Sequence, residues 1–122
     1  MATVTPTLTN ISNAFDKGHL SAWTPLTFSG LDAGAAIEQF GEADRSVQIT
    51  GTFGVGGTVV IEGSNDGVNY HTLKDHLGVA LSITAAGLYS VDQIVRYLRP
   101  RITAGDGTTA LTVTALTRRV LP

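Results

Sequence analysis

Short runs in which apolar and polar residues alternate, separated by turns rich in glycine, asparagine and aspartate, constrain the fold of this 122-residue chain most strongly. The clearest alternation covers residues 110–116, and 47–53 shows the same period of two, which is typical of half-buried strands. Gly54–Gly57 predicts a hairpin loop with a return strand over 58–63, and Ser64–Gly67 predicts a second turn. The whole pattern predicts roughly seven to nine short strands in an all-β antiparallel sandwich or jelly roll.

The chain shows no linker and no convincing internal repeat, so we expect a single β-sandwich domain over residues 16–122. One proline bears on the arrangement of the strands within it. Pro100 lies inside an extended segment, and proline has no backbone N–H to donate to a neighbouring strand. We therefore expect an edge position or a bulge at Pro100.

Residues 1–15 differ from the rest because they contain no charged side chain and place threonine at alternating positions. This pattern predicts an extended N-terminal arm that lies against a partner or a neighbouring copy. The candidate contact residues in the arm are Val4, Pro6, Leu8 and Ile11.

Charged residues make up only 15% of the chain, compared with about 25% in typical soluble domains. Threonine and glycine take their place, and a surface of hydroxyl groups is less strongly hydrated and easier to bury against another protein. We therefore expect a subunit of an assembly. Because the net charge is −2, we do not expect direct binding to nucleic acid.

Positive charge is concentrated in residues 96–122, which contain five arginines and one acid. Such asymmetry can orient a subunit against the carboxylates of a partner, although scattered arginines can also simply solvate sheet edges. Tyr97 is in phase with two of them, so a face for base stacking is geometrically possible. The candidate partner contacts are Arg99, Arg101, Arg118 and Arg119.

Trp23 is the only tryptophan, and we expect it in the core or between two sheets. The alternative that the sequence leaves open is an interface anchor, because tryptophan is enriched among the residues that dominate binding energy. We therefore include Trp23 among the candidate partner contacts.

Residues that commonly carry catalysis or bind metals form no recognisable pattern. His19, His71 and His76 lack the spacing of a zinc site. Gly51–Gly57 differs from a phosphate loop because a strand follows it, and Asn65–Asn69 lacks the acidic spacing of a calcium loop. We expect no enzymatic activity, no metal and no cofactor, and a hydrolase with dispersed acids remains as an alternative.

The absence of cysteine excludes disulfides, thiol nucleophiles and cysteine-based zinc sites. No apolar run approaches the roughly 20 residues needed to cross a bilayer, so no membrane partner is expected. The chain has no basic residue before Lys17 and no compact apolar segment near its start, which argues against a signal peptide. These properties predict a protein that is made and kept in a reducing compartment.

Four turn motifs, followed by a threonine-rich strand and Arg118-Arg119, resemble those of small structural proteins of tailed bacteriophages. The motifs are Gly63–Gly67, Thr84–Gly87, Arg96–Pro100 and Gly105–Thr109. The resemblance covers about residues 45–119. Among such proteins the chain is similar to capsid decoration, or cement, proteins, which are jelly-roll-like sandwiches that clamp neighbouring major capsid subunits, often as dimers.

This resemblance implies a non-enzymatic virion protein that binds the outer surface of a phage head and stabilises the capsid. The implied partners are the major capsid protein and further copies of the chain, in a homodimer or another homo-oligomer. The implied location is the capsid surface, after synthesis in the host cytoplasm. A tail or head-completion protein is an alternative within the same class.

A second, shorter resemblance rests on residues 59–70 and on Arg96–Pro100. These segments are similar to the strand-turn-strand and R-Y-hydrophobe-R elements of discoidin-type, galactose-binding-like sandwiches. The glycan- and lipid-binding loops of that family have no identifiable counterpart here. The resemblance implies a carbohydrate-binding β-sandwich module as an alternative function.

Overall fold

The protein consists of two β-sheets that pack against each other, as the computed structural model shows for residues 3–12, 17–38 and 44–119. The described residues contain strands and no helix, so the predicted all-β sandwich is confirmed. The strands in chain order are β1 (Thr3–Val4), β2 (Thr7–Ser12), β3 (Lys17–Thr27), β4 (Ala33–Gly34), β5 (Ile37–Glu38), β6 (Asp44–Thr52), β7 (Thr58–Ser64), β8 (His71–Thr72), β9 (Ser82–Ile83), β10 (Gly87–Ser90), β11 (Tyr97–Ala104) and β12 (Ala110–Arg119).

The two sheets differ in the length of their strands. Strands β10, β6, β12, β3 and β2, in that order, form a five-stranded antiparallel sheet. The other sheet has the order β1, β4, β11, β7 and β8, with β5 also paired with β11 and β9 with β7. All of its strand pairs are antiparallel except the short β1–β4 pair. The short strands are therefore concentrated in the seven-stranded sheet.

Alternation along the strands places the apolar side chains between the sheets, as the sequence pattern predicts. In β6 and β12 every second residue is buried, whereas both faces of β7 are largely buried. Burying each large apolar side chain stabilises the fold by about 1.5–3 kcal/mol. The largest apolar residues of this core are Trp23, Leu26, Ile49, Ile61, Ile102 and Leu111.

The loop after β6 crosses between the sheets, so the hairpin predicted at Gly54–Gly57 is wrong. The loop is tied to the neighbouring crossing connection between β11 and β12. The Val55 N–H donates to the Asp106 carboxylate at 2.8 Å, and the Thr109 hydroxyl donates to the Phe53 carbonyl at 2.7 Å. The turn at Ser64–Gly67, by contrast, joins two paired strands, β7 and β8.

Pro100 lies in β11, which is paired on both sides, so the predicted edge position is wrong. Its partner in β7 is Ile61, whose N–H and C=O bond away from β11, to Leu81 and Leu73. The nitrogen of Pro100 therefore points to the other side of β11. On that side Arg101 pairs with β4 and Leu98 pairs with β5, so the missing N–H falls between these two paired positions.

Residues 3–12 are extended, as predicted, but they form part of the sandwich instead of a separate arm. β1 pairs with β4, and the Ala35 N–H donates to the Val4 carbonyl at 2.7 Å. β2 pairs with β3 along its whole length. The N-terminal segment thus supplies an edge strand to each sheet. Residues 1–2 and 13–15 of the expected arm lie outside the described residues.

No helix within the described ranges is long and apolar enough to cross a membrane.

Candidate functional site

The outward side of the five-stranded sheet carries a broad surface without charged side chains. Its register aligns rows of residues across neighbouring strands, and about 19 Å separates the two outer strands at the usual strand spacing. We call this surface the uncharged face. It consists of Leu88, Gln48, Thr114, Ala22 and Thr7 in one row, Ser90, Ser46, Leu116, Leu20 and Thr9 in the next, and Thr50, Thr112 and Thr24 in a third.

The uncharged face combines hydroxyl groups with exposed leucine side chains. Leu88 is 70% exposed and Leu116 is 40% exposed. The hydroxyls of Thr24 and Thr112 lie 2.6 Å apart and hydrogen bond to each other, so part of the hydroxyl surface is internally satisfied. Such a face can be buried against a protein without desolvating a charge, and charge depletion is typical of interface cores.

Charged residues of the five-stranded sheet lie together at one end of the described strands. Register places Arg118 opposite Asp44 and Arg119 opposite Lys17. Nη2 of Arg118 lies 2.6 Å from Oδ2 of Asp44, and both side chains are about half exposed. Arg118, a candidate partner contact, therefore has a carboxylate within its own chain, and the backbone of Arg119 lies beside it in β12.

Arg45 lies at the same end of the sheet but points inward and is buried. Its Nη1 donates to the Val95 carbonyl at 3.4 Å, and its Nη2 donates to the Gln93 carbonyl. Burial lowers the pKa of this guanidinium below its usual value. Arg45 thus ties β6 to the loop before β11 and positions the carbonyls of that loop.

The seven-stranded sheet presents Tyr97, Arg99 and Arg101 on one side, as the sequence predicts. Nε of Arg99 and Nε of Arg101 each lie 3.0 Å from a different carboxylate oxygen of Glu62. The Glu62 side chain is only 5% exposed, and the Arg99 guanidinium lies 3.7 Å from the ring centroid of Tyr70. Arg99 and Arg101, both candidate partner contacts, therefore share a carboxylate within their own chain, because register places Glu62 opposite Arg99.

Trp23 lies in the core between the sheets, where it is 1% exposed. Its Nε1 donates to the Ala35 carbonyl at 2.9 Å, which satisfies the polar atom of the ring. The core position expected from the sequence is thereby confirmed. The alternative of an interface anchor is wrong, because the indole has no surface to offer a partner.

The N-terminal candidates differ in their exposure. Val4 packs against the core and Pro6 is partly buried. Leu8 is 58% exposed at the edge of the five-stranded sheet. Only the backbone of Ile11 is described, and it lies in β2 opposite Gly18. Among the described candidate side chains of this segment, Leu8 therefore offers the largest apolar contact to a partner.

An open cleft of about 450 Å³ lies between the turn after β7 and the loop that Arg45 positions. Gly63, Leu73 and Val95 supply apolar lining. The polar lining consists of amide, hydroxyl, imidazole and carboxylate groups, from Asn65, Asn69, Thr72, Gln93, His71, Ser64 and Asp66. A lining of this kind can exchange hydrogen bonds with a neutral polar ligand.

The acid in this lining, Asp66, holds the turn together. It accepts hydrogen bonds from the N–H and side-chain amide of Asn69, from the Val68 N–H and from the Ser64 hydroxyl. These donors, with Asn69 first, hold the pKa of Asp66 well below its usual range. Asp66 therefore acts as a fixed acceptor within its own loop.

The histidines occupy separate places. His71 lines the cleft, His19 lies in β3, and His76 lies 3.8 Å from Asp92 at an exposed position. No group of three or more histidine, aspartate or glutamate side chains placed to hold a metal occurs within residues 3–12, 17–38 and 44–119.

Comparison with protein-family models, with curated proteins and with solved structures finds no match in any of the three. The uncharged face and the cleft are therefore interpreted from their own chemistry.

Sequence reasoning missed the uncharged face as a single surface. Besides residues 1–15, residues 46–61 lack charged side chains, and so do three further segments. Those segments are 18–31, 77–91 and 107–117. Each of the five segments supplies most of one strand of the five-stranded sheet. The sequence signal that could have identified the uncharged face is therefore this set of charge-free segments.

Proposed function

We propose that this protein is a non-enzymatic structural protein of a phage virion that binds the outside of the head and stabilises the capsid by clamping major capsid subunits. The phage context comes from the turn motifs of the sequence. The observation that carries the docking role is the uncharged face, which crosses all five strands of one sheet.

The chemistry of this face suits repeated docking on a lattice. A sheet held by five paired strands is already ordered, so binding does not have to order a loop. Hydroxyl and aliphatic groups bring a small desolvation penalty, and exposed Leu88 and Leu116 supply apolar contact. Each contact can be weak, because a capsid presents many equivalent sites to an oligomer.

A lysine placed in the centre of the face tests this role. Thr114 lies within the uncharged face, beside its register partner Gln48 of the adjacent strand. Thr114→Lys therefore introduces one charge where partner and protein would meet. The binding target is purified heads that lack the protein. We expect Thr114→Lys to weaken binding to them by about tenfold or more, because the interface would then bury an unpaired charge. Binding is measured by co-sedimentation, and the urea unfolding midpoint confirms that the variant is folded.

The matched control is Thr103→Lys, which changes an exposed threonine of the seven-stranded sheet. It should bind heads as the parent does. Equal binding by Thr114→Lys and the parent would overturn docking through the uncharged face. Binding of the parent to purified tails instead of heads would support the tail or head-completion alternative.

A second candidate function, carbohydrate binding, is favoured by the cleft beside the turn after β7. Its amides, hydroxyls and imidazole, which lie over an apolar lining, match the alternating polar and apolar surfaces of a sugar. We expect a glycan array to show saturable binding that His71→Ala weakens and His76→Ala leaves unchanged, since His76 lies outside the cleft. An array without signal, with and without calcium, would exclude this candidate.

A further inference from the structure

The two sheets have several edge strands among the described residues, and these strands differ in length. In the seven-stranded sheet, β1, β8 and β9 have two residues each. In the five-stranded sheet, β10 has four residues and β2 has six. Alternate residues of an edge strand direct their N–H and C=O groups away from the sheet, so a longer edge offers more backbone hydrogen bonds to an incoming strand.

The β2 edge also lacks the features by which proteins usually protect exposed edges. Its sequence, Thr-Leu-Thr-Asn-Ile-Ser, contains no charge and no proline. Leu8 lies opposite the core-facing residue Ser21, so it is on the inward side of the sheet, yet it is 58% exposed because none of the described strands lies beyond β2. A long, uncharged edge with an exposed leucine is a template for strand pairing.

We propose that β2 pairs antiparallel with β2 of a second copy around a two-fold axis perpendicular to the sheet. This pairing would join two five-stranded sheets into one continuous sheet across the dimer. The second copy fits because the strand carries no charge and therefore does not repel itself. The contact is isologous, so every backbone hydrogen bond across the axis forms twice.

Geometry restricts the possible registers. A two-fold axis perpendicular to the sheet keeps each residue on the same side, and paired residues must share a side. Among the registers that satisfy this condition, those centred on Thr9 or on Asn10 pair the most residues of β2. The first register places Leu8 opposite Asn10, and the second places Leu8 opposite Ser12. In both registers the exposed side of Leu8 is covered and the two uncharged faces lie on the same side of the dimer.

A charged residue introduced into the β2 edge tests the pairing. We expect the parent chain to sediment at twice the chain mass and Leu8→Lys to weaken association on the order of tenfold or more, because lysine is a common protector of edge strands. The matched control is Leu88→Lys at the opposite edge of the same sheet, where 70% of the leucine is exposed and dimerisation should be unchanged. A monomeric parent at about 100 μM, or equal association of Leu8→Lys and the parent, would overturn the proposal.

A disulfide provides a second measurement that does not depend on Leu8→Lys being folded. The chain has no cysteine, so a single introduced thiol can only link two copies. Paired residues in an antiparallel sheet are about 4.5–5.5 Å apart between Cα atoms, within reach of a disulfide. We expect Thr9→Cys or Asn10→Cys to form a covalent dimer on mild oxidation and Ser90→Cys to remain mostly monomeric. Equal crosslinking at both edges would contradict the pairing.

The pairing of β2 with β2 forms in the free protein and does not require head binding. Thr114→Lys should reduce head binding while the mass remains that of a dimer, and Leu8→Lys should lower the mass of the free protein. The two proposals therefore fail separately.

Discussion

Asp106 links two connections that cross between the sheets. Its carboxylate accepts hydrogen bonds from the Val55 N–H in one loop and from the N–H and hydroxyl of Thr108 in the other. The Thr108 hydroxyl, followed by the Val55 N–H, lowers the pKa of Asp106 to about 2. The ionised form is therefore favoured by folding, which connects the stability of both crossing loops to pH.

The Asp106 pKa predicts the pH dependence of a variant. An unfolded aspartate has a pKa of about 3.9, so the stabilisation is complete above that value and is lost as pH falls toward about 2. We expect Asp106→Asn to lower the urea unfolding midpoint at pH 7 and the difference from the parent to shrink as pH falls. Asp92→Asn is the control, because Asp92 is exposed and lies 3.8 Å from His76, which is also exposed. A difference that stays constant down to pH 2 would contradict this explanation.

Glu62 shows why a residue's environment is hard to derive from sequence. It lies within the apolar run Val59–Gly63, which indicates a buried acid that requires a cationic partner. The sequence offered several arginines and no way to choose between them. Register supplies the choice, because Arg99 lies opposite Glu62 and Arg101 lies two residues farther along the same side.

At the scale of strands, β4 packs closely against Trp23 of β3, in the opposite sheet, and against Pro100 of β11, in its own sheet. A Cβ atom at Gly34 would lie 2.6 Å from Trp23 and from Pro100. The absence of a side chain at Gly34 therefore allows β4 to pack against the indole and the proline ring. This contact also holds the N-terminal segment, because β1 pairs with β4 at the same place.

The Gly34 contact predicts the effect of one added methyl group. We expect Gly34→Ala to lower the free energy of unfolding by about 1–3 kcal/mol, because the indole or β4 must move. The control is Gly107→Ala, where the added Cβ meets no atom within 4 Å and the change should stay within about 0.5 kcal/mol. Urea unfolding, followed by the fluorescence of Trp23, gives both values. A neutral Gly34→Ala would show that the sheets can separate locally without cost.

Local sequence predicted the strands and turns well, because alternation and turn residues act over a few positions. The alternation at 110–116 corresponds to β12, and Ser64–Gly67 is a turn between paired strands. The crossing at Gly54–Gly57 was not predictable, because glycine-rich loops permit a hairpin and a crossing equally. The position of Pro100 depends on what lies on each side of β11, which is set by residues far away in sequence.

At the scale of the whole molecule, the few charged residues of the chain are distributed unevenly over the two sheets. Each of the five charge-free segments supplies most of one strand of the same sheet, while Glu62, Arg99 and Arg101 lie on the other. Charge in the five-stranded sheet is confined to the end that carries Asp44 and Arg118. The sequence shows that these segments lack charged residues. It does not show that they form one surface, because only strand order and register bring them together.

This arrangement predicts how binding responds to salt. Contacts made by the uncharged face involve no ion pairs, so the apparent Kd for heads should change less than about threefold between about 50 mM and 500 mM NaCl. Ion pairs between exposed arginines and capsid carboxylates would instead weaken binding by about tenfold or more over that range. Titration of labelled protein onto heads that lack it measures the dependence, with Asp44→Asn as a variant that removes one carboxylate contact of Arg118. Steep weakening of the parent by salt would assign binding to the charged end of the sheet instead of the uncharged face.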